Sequence, residues 1–148
     1  MIRAILAFLA LPGVVAVTIP IAIGITAGRP GPDWVVALVP LVAGTLLLLS
    51  CVREFHVTGR RTLAPWAPPK RLVTTGPYRW SRNPMYVGVF TILIGWGVFW
   101  HSRTLLVYAA AVLCAFYLHV RLVEEPWAAR QFGPEWDAYR GRVPRWLF

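Results

Sequence analysis

Four stretches of this chain contain no Lys, Arg, Asp or Glu: residues 4–28, 34–52, 83–102 and 104–120. At 1.5 Å of rise per residue each is about long enough, as a helix, to cross a hydrocarbon layer of roughly 30 Å. With 57% hydrophobic residues in 148, the chain holds more apolar surface than a soluble domain of that size buries. The expectation is an all-α polytopic membrane protein, one domain over residues 1–148, with about four transmembrane helices. Their approximate limits are 4–28, 34–52, 84–100 and 104–123, with a polar loop at 53–83 and a tail at 124–148. Arg3 ahead of an apolar run also suits a secretory signal, but this run is too long for one. Pro12, Gly13, Pro20 and Gly24 within it predict a bent helix or a tight re-entrant hairpin.

Charge gives the orientation. With four spans, thirteen of the fifteen Lys and Arg fall on the side that holds the N-terminus, the loop 53–83 and the tail, leaving Arg29 and Arg103 opposite. By the positive-inside rule both termini and the long loop are expected in the cytoplasm. The net charge of +9 is therefore read as topology and attraction to anionic headgroups, with no nucleic-acid partner expected. Fourteen arginines against one lysine suggest a GC-rich bacterial source, hence the bacterial cytoplasmic membrane. Cys51 and Cys114 lie in apolar runs as small hydrophobes, and His56, His101 and His119 have no metal-ligand spacing, so no metal site is expected. GxSxG and HExxH are absent, and mid-span charges of the kind an ion path needs are lacking.

Within the loop, "PWAPPKRL" cannot be helical through its prolines, and Trp66 is placed as an interfacial anchor. Asn83 before Pro84 reads as a helix start, the asparagine capping and the proline at the first helical position. "HSR" (residues 101–103) is so short that the fourth span must return beside the third. One helical hairpin then carries Glu124 and Glu125 back to the basic, aromatic turn at residues 78–86. Two adjacent carboxylates ending an apolar helix must face protein, water or a cationic ligand rather than lipid. Tyr78 and Tyr86 flank the helix start, where free N–H groups favour an anion. Gly88, Gly95 and Gly97 allow close approach by another helix or by a flat ligand. The aromatic, charged tail predicts an amphipathic segment lying at the interface.

"LVTTGPYRWSRNPMYVG" (72–88) followed 36 residues later by "EEPWAARQFGPEWDAYRGRVPRW" (124–146) resembles the isoprenylcysteine carboxyl methyltransferase family and its phospholipid methyltransferase relatives. The resemblance covers the chain from about Lys70 onward. It implies a small membrane enzyme that uses S-adenosyl-L-methionine, with the cofactor between the last two spans and the tail. Cofactor contacts would fall on Lys70, Arg71, Leu72, Val73, Tyr78, Arg82, Asn83, Pro84, Met85, Tyr86 and Glu124, and catalytic roles on Arg121, Glu125 and Tyr86. A carboxylate such as Glu124 suits the cofactor's cationic or diol end; helix N–H groups and Arg82 suit its acceptors. The methyl acceptor would be a lipid or small amphiphile bearing a carboxylate or an amine.

Two positions depart from the family pattern. Asn83 stands where histidine is usual, and Val120 where the prenylcysteine enzymes carry a substrate-positioning arginine. Arg121 replaces that arginine only if the helix is rotated or unwound by about one residue. The departures also motivate a second reading, a non-catalytic membrane scaffold or lipid-binding protein that keeps the fold.

Overall fold

The computed structural model describes residues 13–27, 30–32, 34–58 and 71–147. Residues 4–12 of the first expected span, the proline-rich segment with Trp66, and Lys70 lie outside the described residues. Among the described residues all regular structure is helical. A π turn (Val14–Thr18) leads into α1 (Ile19–Ala27); α2 is Trp34–Val57, α3 Pro84–Phe99 and α4 Arg103–His119. A second π turn (Val120–Glu124) joins α4 to α5 (Glu125–Phe132), and α6 is Pro134–Arg140. Two continuous helices, Trp34–Phe55 and Arg103–Phe132, are long and apolar enough to cross a membrane; Val14–Thr26 and Pro84–Phe99 are shorter apolar helices.

Two expected boundaries move. The second span runs past residue 52 to Val57, because tertiary partners hold its last turn: Glu54 accepts from Thr75 Oγ1 at 2.7 Å and the Phe55 ring meets Tyr78 edge-on at 5.4 Å. The fourth helix does not stop at the glutamate pair. It widens into the π turn there and continues to Phe132.

Helix α3 is the centre. Gly88 and Gly95, seven residues apart and thus on one face, meet α2: a Cβ on Gly44 would lie 2.7 Å from the Gly88 carbonyl, and one on Gly95 2.7 Å from Leu41. Gly97 faces the other way, against Leu106 of α4. Helix packing thus accounts for all three glycines. Val89, Ile92 and Leu93 join Ala109 and Ala16 in the buried core, while valines and leucines along α2 and α4 are exposed outward, as lipid-facing surface would be.

The α3–α4 hairpin forms as the short "HSR" link requires, with Ser102 Oγ accepting from Leu105 N at 3.3 Å to cap α4. In the first segment, Pro20 has no N–H to offer the carbonyls one turn back. Those carbonyls are taken by side chains instead: Trp96 Nε1 donates to Ala16 O at 2.9 Å and Tyr108 Oη to Val15 O at 3.1 Å. From Gly13 to Ala27 the segment is one helical run with a π turn, docked on α3 and α4.

Candidate functional site

Pro84 is the first residue of α3, as its missing N–H favours, but Asn83 does not cap the helix with its side chain. The reason is a tertiary competitor. Asn83 Nδ2 donates to the Arg145 carbonyl at 3.0 Å, Ser81 Oγ donates to the same oxygen at 3.2 Å, and Arg82 N donates to Pro144 O at 2.9 Å. The tail is stitched to the start of α3, and among the described residues no side chain caps the N–H groups of the first turn, Met85 and Tyr86 among them.

From that turn two side chains reach the returning helix. Tyr86 Oη donates to Glu124 Oε1 across 38 residues of sequence, its ring 4.4 Å from that of Phe116. His119 Nε2 lies 3.4 Å from the same carboxylate oxygen. Just before the helix, Arg82 Nη1 meets Glu125 Oε1 at 3.0 Å. Glu125 is also gripped by Arg145, whose Nε and Nη2 donate to its two oxygens at 2.9 and 2.7 Å. The hairpin therefore unites the two motifs, with the adjacent glutamates serving different partners.

These partners differ in freedom. The Glu124 side chain is 40% exposed, which leaves its carboxylate open to a ligand. Glu125 is only 16% exposed and both of its oxygens carry guanidinium hydrogen bonds. Its geometry is that of a counter-ion, not of a base free to take a proton. The Arg82 guanidinium lies over the Trp136 ring at 5.4 Å, its pKa pulled down by burial and partly restored by Glu125. Arg145 is moved the opposite way by its hydrogen bonds to Glu125. Arg121 is exposed, donates to Tyr117 Oη at 3.3 Å, and lines a cleft of about 490 Å³ together with Arg82, Glu125, Trp136, Arg140 and Arg145. Val120 beside it is fully buried.

The remaining sequence-derived residues pack beneath the site. Val73 and Tyr78 are buried with Cys51, and Met85 lies against them. Burial pushes the Tyr78 hydroxyl well above its usual range, with the Glu124 carboxylate a small contributor. Leu72 packs on the tail core of Ala128, Trp136, Tyr139 and Val143, while Arg71 is exposed. Tyr139 Oη donates to the Tyr78 carbonyl at 2.7 Å, and burial raises its own pKa to about 12.

Sequence reasoning missed Arg145, Trp136, Arg140 and His119. "RVPRW" was visible as a motif, but only the return of the tail shows that its last arginine clamps Glu125. Among the described residues no group of three His, Cys, Asp or Glu side chains converges as a metal site would.

The constellation of Arg82 to Gly88 meeting Glu124 and Glu125 can be compared with known proteins. The sequence model of the phospholipid methyltransferase family matches residues 33–135, well over half of the chain. The chain belongs to the phospholipid methyltransferase family. The chain is also 32% identical over 109 residues to the nickel-cobalt-cadmium resistance protein NccN of Alcaligenes xylosoxydans xylosoxydans. That alignment covers 74% of this chain and 46% of NccN, so the chain spans less than half the length of this relative. No solved structure matches the chain.

Proposed function

We propose that this family member uses S-adenosylmethionine to methylate a lipid-like or small membrane-partitioning acceptor at the cytoplasmic face of the membrane. The observation that carries the reading is the Tyr86–Glu124 contact, which joins the two motifs beside an uncapped helix start. The donor set fits the cofactor. Glu124 is an open carboxylate for an ammonium or a ribose diol, and the Met85 and Tyr86 N–H groups at the positive end of α3 suit a carboxylate or an adenine nitrogen. Tyr86 and Phe116 add an aromatic face for a cation. When bound, the cofactor supplies a methyl group on a sulfonium for in-line displacement.

The chain's own residues orient and exclude water. Tyr86 and His119 hold Glu124 in place; Glu125 fixes Arg82 and Arg145 and so anchors the tail over the site. Arg121 stands at the rim of the adjoining cleft, where it can position an anionic acceptor. Correct placement and exclusion of water are what methyl transfer asks of a protein more than a strong base. With the four apolar helices as spans, and loop 53–83 and tail 124–148 in the cytoplasm, this site lies at the headgroups.

Purified protein in detergent, titrated with S-adenosylmethionine in a calorimeter, is expected to bind it saturably. Glu124→Gln is expected to abolish binding and Tyr86→Phe to weaken it about tenfold, as loss of one hydrogen bond near a charge does. A wild-type chain that binds no cofactor refutes the reading.

A further inference from the structure

We propose that the arginine cleft beside the Tyr86–Glu124 contact is a phosphate-binding site. Four guanidiniums, of Arg82, Arg121, Arg140 and Arg145, line a cavity of about 490 Å³ with a single carboxylate, Glu125. The only other acid engaged with this set among the described residues is Asp137, 3.0 Å from Arg140 Nε. Four positive charges against two negative leave an excess of two in one concavity, and the partner of Arg121 is a neutral hydroxyl, that of Tyr117.

Arg82 sharpens the case. Among the described residues its Nε is buried with no hydrogen-bond partner, and its side chain is only 11% exposed. A buried guanidinium N–H is costly to leave unmet, so a small shift of Arg82 toward an anion in the cleft would be favoured. Trp136 beneath the guanidinium and Glu125 beside it fix the plane of the fork before any ligand arrives. The Arg140–Asp137 pair is exposed on both sides, 56% and 59%, so Arg140 gives up little in turning toward a ligand.

The charge count selects the ligand class. A carboxylate would offset half of the excess, whereas a phosphate monoester carries about −1.5 to −2 near neutral pH and presents three acceptor oxygens to several arginine forks. The cavity admits a single headgroup and not a nucleic-acid strand. The phosphate can come from a lipid headgroup or from a free phosphate ion, and the site holds whether or not a methyl group is transferred.

The test uses the whole chain in a neutral detergent, without S-adenosylmethionine, at ionic strength fixed with sodium chloride. Dihexanoylphosphatidic acid and inorganic phosphate are titrated in separate calorimetric runs. Saturable binding of at least one probe is expected, and which one binds names the source. Arg121→Gln with Arg140→Gln is expected to weaken it by about tenfold or more, each single variant giving part of the loss. Both residues are exposed, so the helical circular dichroism of the variants should match the wild type. Arg142→Gln is the control: it sits on the same tail, outside the cleft lining, and donates to Ala138 O. No saturable binding of either probe, or a loss no larger than that of Arg142→Gln, overturns the proposal.

Discussion

Replacing Glu125 by Gln removes the one carboxylate that Arg82 and Arg145 share. The side chains involved are 16, 11 and 31% exposed, so this is a half-buried cluster rather than a surface pair. Breaking a buried pair from one side costs about 3–5 kcal/mol because a charge is left uncompensated. Arg145 keeps enough water contact to take its share at a discount, which places the expected loss near the lower end, about 3 kcal/mol. For a chain of this size each kcal/mol moves the midpoint by roughly 2–4 °C, so Glu125→Gln is expected to unfold roughly 6–12 °C below wild type. Arg145→Gln leaves the 3.0 Å Arg82–Glu125 contact intact and should cost only about 1 kcal/mol. Thermal unfolding of the three proteins, followed by circular dichroism in one detergent at pH 7, makes the comparison. If Glu125→Gln melts within about 2 °C of wild type, the cluster does not hold the tail on α3 and the counter-ion assignment of Glu125 falls.

Two further outcomes rest on single contacts. Tyr139 keeps its proton in the folded chain up to about pH 12 because it is buried, while an unfolded tyrosine loses it near 10. Its contribution to stability is therefore fully present below about pH 10 and is lost as pH rises toward 12, and Tyr139→Phe should flatten that part of a stability–pH curve. Trp96→Phe strands the Ala16 carbonyl that Pro20 cannot serve, so it should lower stability by about 1 kcal/mol, part of which Pro20→Ala restores by supplying an N–H. Equal losses in the single and double variants on thermal melting would show that the Trp96 hydrogen bond is not what the site needs.

The α3–α4 hairpin was legible in the sequence because its information is local. Uncharged run lengths and the three-residue "HSR" link suffice to bring Glu124 back to Tyr86, and the folded chain joins them. Asn83 shows where local reading stops. Its preference for capping is a near-neighbour tendency, and it lost to a carbonyl 62 residues away that the tail delivers. Arg145 was invisible for the same reason: nothing in "RVPRW" says that the chain turns back over Pro144 and Arg145 to reach Glu125. The extension of α2 to Val57 likewise rests on Thr75 and Tyr78, partners that only the folded loop supplies.

The π turns were hidden too, yet a common sequence cause connects them. Each ends two residues before a proline, Thr18 before Pro20 and Glu124 before Pro126. Proline withholds the N–H that would close an ordinary turn, so the backbone accommodates one more residue there. In the first segment the carbonyls so released bind Trp96 and Tyr108, and the result is helix packing. At Val120–Glu124 the wide turn re-aims the helix beyond it. Successive helical residues project about 100° apart, so two adjacent glutamates face different neighbours. Glu124 is turned to Tyr86 and Glu125 to Arg82 and Arg145. The doubled glutamate is thus a junction: one carboxylate is spent holding the tail, which leaves its neighbour half open beside the start of α3, as the proposed role toward a cofactor's cationic or diol end requires.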